Sequence, residues 1–252
     1  MREFILSLDA EAFGQYFDHT LLKAFASAAD YEAFCREGIR YRVKMLAVNP
    51  AAVAFCRGQV KDSGVRVGAA AGFPLGQSTV GTKVFEAIEA IGAGAAEIDY
   101  VLNITELKNG NYGYIEDEMK AVVSACRERN AVSKVIFETC YLTDGEKKTL
   151  CEMAGRVKPD FIKTSTGFGT GGATPEDVRL MRACTDPCVK VKASGGVKTL
   201  DDAAALIGAG AERIGTSHTA AIMGEFFRLR GQSQPGGDVP RGAGEDSHAL
   251  SY

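Results

Sequence analysis

Phe161-Ile162-Lys163-Thr164-Ser165-Thr166-Gly167 joins a strand pattern to a polar turn. A short apolar run follows Pro159 and Asp160, carries one lysine, and breaks into hydroxyls and glycine. It reads as a buried strand ending at Thr164 or Ser165. Burying an ammonium group is costly and drives its pKa down, and a neutral amine attacks carbonyls. Taken alone, the stretch fits equally well a lysine that snorkels out of the strand or pairs with a carboxylate.

A second stretch repeats the form: Val189-Lys190-Val191-Lys192-Ala193-Ser194-Gly195-Gly196. If both are parallel strands, Lys163 and Lys192 end side by side on one face. A neighbouring cation disfavours protonation of the first amine, as a Schiff-base lysine requires.

On either side, the same pattern of apolar run, polar tip and helix recurs along the chain. Strands are expected over 16–22, 43–48, 65–71, 96–102, 133–137, 161–164, 188–192 and 212–215. Helices are expected between them, among them 28–37 stopped by Gly38, 80–91, 114–129, and a last one from Ser217 to Arg230. Thr143 with Glu146 makes a capping box, and Thr174-Pro175-Glu176-Asp177 is a helix start. Eight alternating units imply parallel strands with helical crossovers, hence a (β/α)8 TIM barrel; an open doubly wound sheet is the runner-up. Residues 2–14 form a short amphipathic helical lead-in. Residues 1–230 are read as one domain, and 231–252, rich in Gly and poor in apolar residues, as a disordered C-terminal tail. Ile91-Gly92-Ala93-Gly94-Ala95 recurs as Ile207-Gly208-Ala209-Gly210-Ala211, which helix-capping glycines before a strand explain.

The 252 residues, 46% hydrophobic, suit one large barrel with a sizeable core. No apolar run approaches the roughly 18 residues of a membrane span, and the N-terminus has no signal-peptide pattern. A net charge of −3 argues against nucleic acid as the main partner. Seven cysteines without a Cys-x-x-Cys pair, and three histidines, argue against a structural zinc site and for reduced thiols in a cytoplasmic protein.

Barrel chemistry sits at the C-terminal ends of strands. Reading those ends gives Asp18, Thr20, Asp99, Lys163 and Lys192. An inward Asp99 between two lysines can hold a proton-relaying water and keep one lysine charged; a structural ion pair is the alternative. Thr166-Gly167, Ser194-Gly195-Gly196 and Gly215-Thr216-Ser217 offer N–H groups and hydroxyls to a phosphate, with the N-terminus of the last helix aimed at the same place.

Asp18-His19-Thr20-Leu21-Leu22-Lys23, Gly72-Phe73-Pro74-Leu75-Gly76, Glu97-Ile98-Asp99 and the two lysine motifs together resemble deoxyribose-phosphate aldolases, over about residues 16–225. The resemblance implies a class I aldolase needing no metal or cofactor. It would reversibly cleave 2-deoxy-D-ribose 5-phosphate to glyceraldehyde 3-phosphate and acetaldehyde. Lys163 would form the Schiff base, Lys192 would lower its pKa, and Asp99 would share proton transfer. Asp18, Thr20 and the three glycine loops would bind substrate. Tyr252 looks like the mobile C-terminal tyrosine of some relatives, which assists proton transfer. Two positions depart from the pattern: Ala47, where many relatives have cysteine, and His218, where a small hydroxyl residue is common. The rival readings are a Schiff-base aldolase or transaldolase for another sugar phosphate, and a non-catalytic phosphate-binding barrel. The expected partner is a small sugar phosphate, and the expected assembly a homodimer.

Overall fold

Eight parallel strands, each hydrogen-bonded to the next in chain order, close into a barrel in the computed structural model, which describes residues 1–235. In chain order the elements are α1 (Arg2–Ser7), α2 (Ala10–Gly14), β1 (Phe17–Leu21), α3 (Ala28–Arg40), β2 (Met45–Val48), α4 (Val53–Val60), β3 (Arg66–Ala71), α5 (Val80–Gly92), β4 (Glu97–Val101), α6 (Ile104–Lys108), α7 (Tyr112–Arg127), β5 (Val132–Ile136), α8 (Asp144–Val157), β6 (Phe161–Lys163), α9 (Pro175–Cys184), β7 (Lys190–Ser194), α10 (Leu200–Gly208), β8 (Arg213–Thr216) and α11 (Thr219–Leu229). The seam closes with Phe17 opposite Ile214. The expected TIM barrel is therefore present, with two short helices leading into it.

Several helix starts follow from local chemistry. Thr143 and Glu146 form a reciprocal capping box on α8, and Thr199 with Asp202 does the same on α10. Thr174 caps α9, with Pro175 at its first position.

Elsewhere the boundaries depart from expectation for physical reasons. Gly38 does not stop α3, which runs on to Arg40; a side chain there would collide with Leu46 of β2, so the glycine allows close helix–strand packing. The chain leaves α3 through a left-handed Arg42 (φ +49), and Val43 N–H returns to Gly38 O, so β2 begins only at Met45. Cys188 and Val189 belong to a turn on Asp186, which delays β7 to Lys190. Asn103, just after the expected strand 96–102, is a cap: its side chain accepts Glu106 N–H at 3.2 Å and starts α6, which the sequence reading does not include. The last helix starts at Thr219, not Ser217. Residues 231–235 fall within the described part, and Gln234 accepts a hydrogen bond from the Tyr41 hydroxyl at 2.8 Å. The remainder of the expected tail, 236–252, lies outside the described residues.

Alternation within each strand sorts the side chains. Leu46, Val67, Ile98, Val135, Ile162, Val191 and Ile214 face the helices and are buried in the main apolar core. Burying each such side chain fully contributes about 1.5–3 kcal/mol. The opposite parity points into the barrel, and seven buried residues there are charged. Asp18, Glu97 and Asp99 meet Lys134, Lys163, Lys192 and Arg213 inside it. Phe161 closes the layer below, with the Arg213 guanidinium 5.1 Å from its ring centre.

Candidate active site

The centre of the charged layer is Asp99, buried at the middle of β4. Lys163 and Lys192 both donate to its Oδ2, at 2.8 and 2.6 Å, and Lys134 donates to its Oδ1 at 2.8 Å. The register produces this cluster: Asp99 stands opposite Lys134 across β4–β5, and Lys163 opposite Lys192 across β6–β7. Burial alone would raise the Asp99 carboxyl, but Lys134, Lys163 and Lys192 outweigh it and hold it well below the usual range.

Lys163 goes the other way. Burial is the largest influence and pushes its amine down; Asp99 opposes that, and Lys192 and then Lys134 add to it, leaving a pKa of about 8. Charge balance agrees. The interior sets four cations against three carboxylates, so a proton lost from Lys163 leaves as many cations as carboxylates. The arrangement therefore presents one amine that is readily neutral beside one carboxylate that stays charged.

Above this layer lies a cavity of about 310 Å³, open at the C-terminal ends of the strands. Asp99, Lys163 and Thr20 reach it from below and one side. Thr166 and Gly167 after β6, and Ser194, Gly195 and Gly196 at the end of β7, form a second side. Gly215 of β8, then Ser217 and His218, complete the wall. The loops are tied together: Ser194 Oγ donates to Ser165 O at 2.6 Å, and Thr216 Oγ1 to Val197 O at 2.6 Å. Gly195 and Gly196 both take positive φ, +84° and +79°, which lets their backbone turn along the pocket edge.

Two expected residues sit off this wall. Lys192 is buried beneath it, reaching the pocket only through Asp99. Asp18, expected to bind substrate, is fully buried and pairs with both Lys192 and Arg213. Burial would raise its carboxyl, but Lys192, Lys134 and Arg213 pull it far below the ordinary value. Its neighbour His19 points to the helices, stacked on Phe34 at 4.3 Å, and burial pushes its imidazole to about 3. Tyr252 lies outside the described residues.

Other residues at the site were not anticipated. Lys134 and Glu97, 2.6 Å apart, extend the charged layer, and Arg213 reaches Glu97 at 3.1 Å. Glu97 leaves a signal in the sequence, a second charge two residues before Asp99 in an otherwise apolar strand, whereas Lys134 and Arg213 are single charges in theirs. Lys23 and Lys198 line the mouth as further cations. His218 is pushed below its ordinary pKa by burial first, then by Lys198 and Lys23. Phe168 lines the mouth too, meeting Phe73 of the Gly72–Gly76 loop edge-on with ring centres 5.4 Å apart.

The description "DeoC/LacD family aldolase" fits residues 13–224. The chain belongs to this family. The aldolase is 47% identical over 230 residues to the deoxyribose-phosphate aldolase of Bacteroides thetaiotaomicron, a match covering 91% of this chain and 97% of the relative. It is 52% identical over 205 residues to the deoxyribose-phosphate aldolase of Lactobacillus acidophilus, covering 81% and 86%. Among solved structures it superposes on the tetrameric deoxyribose phosphate aldolase of Aeropyrum pernix with a TM-score of 0.81 and 31% identity, covering 89% of this chain and 97% of the other.

Proposed function

We propose that this aldolase reversibly cleaves 2-deoxy-D-ribose 5-phosphate to D-glyceraldehyde 3-phosphate and acetaldehyde, as a step in deoxyribonucleoside breakdown. The observation that carries the reading is Lys163, with a pKa of about 8, bonded to the same Asp99 oxygen as Lys192.

The chemistry follows from that pair. Neutral Lys163 Nζ adds to the C1 aldehyde, and loss of water leaves an iminium. The C3 hydroxyl gives up its proton as the C2–C3 bond breaks. The bonding pair moves to C1–C2 and quenches the iminium as an enamine, and C3 leaves as the aldehyde of glyceraldehyde 3-phosphate. C2 then takes a proton, and water releases acetaldehyde and free Lys163. Asp99 and Lys192, joined at Oδ2, are the relay that moves these protons through water. The loops after β6, β7 and β8, with Lys23 and Lys198 at the mouth, hold the phosphate and so fix C1 over Lys163. In this reading Asp18 acts on the substrate only through Lys192.

Tyr252 is carried as an assistant in protonating the enamine; its removal should slow exchange of the acetaldehyde methyl protons with deuterated water. A cytoplasmic setting is supported by seven free thiols. Among the described residues no helix is long and apolar enough to cross a membrane. We carry a homodimer as the assembly, with exposed Leu75 and Phe85 as apolar surface for it, and sedimentation equilibrium as its test. The activity itself is tested by a coupled assay of deoxyribose 5-phosphate cleavage, with and without a chelator. Turnover unaffected by chelation is expected, and no release of glyceraldehyde 3-phosphate would refute the proposal.

A further inference from the structure

We propose that Glu138 is a positioning residue for the phosphate: its carboxylate folds the loop after β6 by taking both donors of Thr166. The inference rests on the reading of that loop as part of the phosphate site.

Four non-glycine residues take a positive φ among the described residues. Arg42, Asn130 and Lys158 are at helix exits, where such a conformation is ordinary. Glu138 is the exception: it stands two residues past β5, at the catalytic end of the barrel, with φ +57° and ψ +62°. A glutamate held in the left-handed region, with its carboxylate almost wholly buried, calls for a reason.

The carboxylate supplies one. Its Oε1 accepts Thr166 N–H at 3.1 Å, and its Oε2 accepts the Thr166 hydroxyl. With that proton committed, Thr166 Oγ1 accepts Phe168 N–H at 2.9 Å. The loop goes on to wrap the carboxylate, for a Cβ placed on Gly169 would lie 3.1 Å from Glu138 Cδ. Flanking bonds fix the base of the turn: Phe137 N–H to Lys163 O, and Thr139 N–H to Thr164 O, both at 2.9 Å. Glu138 thus grips the segment that starts at Lys163 and ends at Phe168.

Two consequences follow. Thr166 lines the cavity but spends its N–H and its O–H on Glu138, so it gives neither to the phosphate. Gly167 and Phe168 receive their places on the pocket wall from the Glu138–Thr166–Phe168 chain of bonds. Glu138 does not line the cavity itself, so it acts through Thr166.

The test compares substrates with and without phosphate. Glu138→Gly removes the carboxylate and suits the left-handed backbone. It should raise KM for deoxyribose 5-phosphate at least about tenfold, while kcat/KM for deoxyribose stays within about threefold of the parent. Borohydride trapping of acetaldehyde at Lys163 should persist. Thr166→Val should reproduce the rise in KM, and Thr166→Ser, which keeps the hydroxyl, should restore the parental value; these two variants decide the matter if Glu138→Gly does not fold. An unchanged KM, or equal losses on both substrates, would overturn the role of Glu138 while leaving the phosphate site standing. A parent enzyme with no preference for the phosphorylated sugar would overturn the phosphate site and this inference with it.

Discussion

Lys163 and Lys192 donate to one oxygen, Asp99 Oδ2, at 2.8 and 2.6 Å. Two ammonium groups that share a single acceptor compete for it, and the interior already holds Lys134 and Arg213. Lys192 is also bonded to Asp18, which Lys163 does not reach. Lys163, with fewer carboxylates to oppose its burial, is pushed down to about 8.

Replacing Lys192 by methionine should move the acidic limb of the rate profile upward. In the proposed mechanism Lys163 acts as the free amine, so the rate should fall as pH drops through its pKa of about 8. Without the repelling Lys192 that pKa rises, by on the order of one unit, and the rate at pH 7 falls about tenfold from ionisation alone. A pH–rate profile of kcat/KM measures this. A limb that stays in place would mean that burial alone sets the pKa.

Asp99→Asn should shift the same limb in the opposite direction. The carboxylate holds the Lys163 pKa up, so its removal lets the pKa fall below about 8. The plateau rate should nevertheless drop about 100-fold or more, because the proton relay is cut. Three lysines lose a buried partner, which costs about 3–5 kcal/mol and lowers Tm by on the order of 10 °C. Thermal unfolding and the rate profile together check both parts; an upward limb shift would contradict the electrostatic account.

Gly196→Ala should weaken binding of the phosphorylated sugar selectively. A Cβ at Gly196 meets nothing within 4 Å, so the new methyl projects into open space, and the φ of +79° makes the backbone resist it. The left-handed penalty is about 1–2 kcal/mol. KM for deoxyribose 5-phosphate should rise several-fold more than KM for deoxyribose. Equal losses on both would indicate a folding defect.

Ala47→Cys should make the enzyme sensitive to concentrated acetaldehyde. Ala47 is on the cavity wall, and none of the seven cysteines is. A thiol there can add to the unsaturated aldehyde formed by self-condensation, and a methyl group cannot. Residual activity after soaking measures it, and equal inactivation of parent and variant would count against the idea.

The barrel is legible because most strands announce themselves as apolar runs broken by Gly, Asn or Pro, and the Lys163–Lys192 pairing because both runs carry the lysine at the same place. Lys134 escaped notice because Ser133-Lys134-Val135 reads as ordinary alternation; only closure of the barrel turns that parity inward, opposite Asp99. Asp18 was assigned to substrate for the same reason, since its partner Arg213 comes from the far end of the chain. Gly38 reads as a helix stop in the sequence, whereas its lack of a side chain serves packing against Leu46. Glu138 left no trace in the sequence: its backbone conformation and its bonds to Thr166 exist only in three dimensions.

The central claim is that Lys163, and not Lys192, is the nucleophile. Incubation with deoxyribose 5-phosphate and borohydride, followed by peptide mass mapping, tests it most directly. A reduced adduct is expected on the peptide carrying Lys163, lost in Lys163→Met. An adduct on Lys192, or on neither lysine, would contradict it.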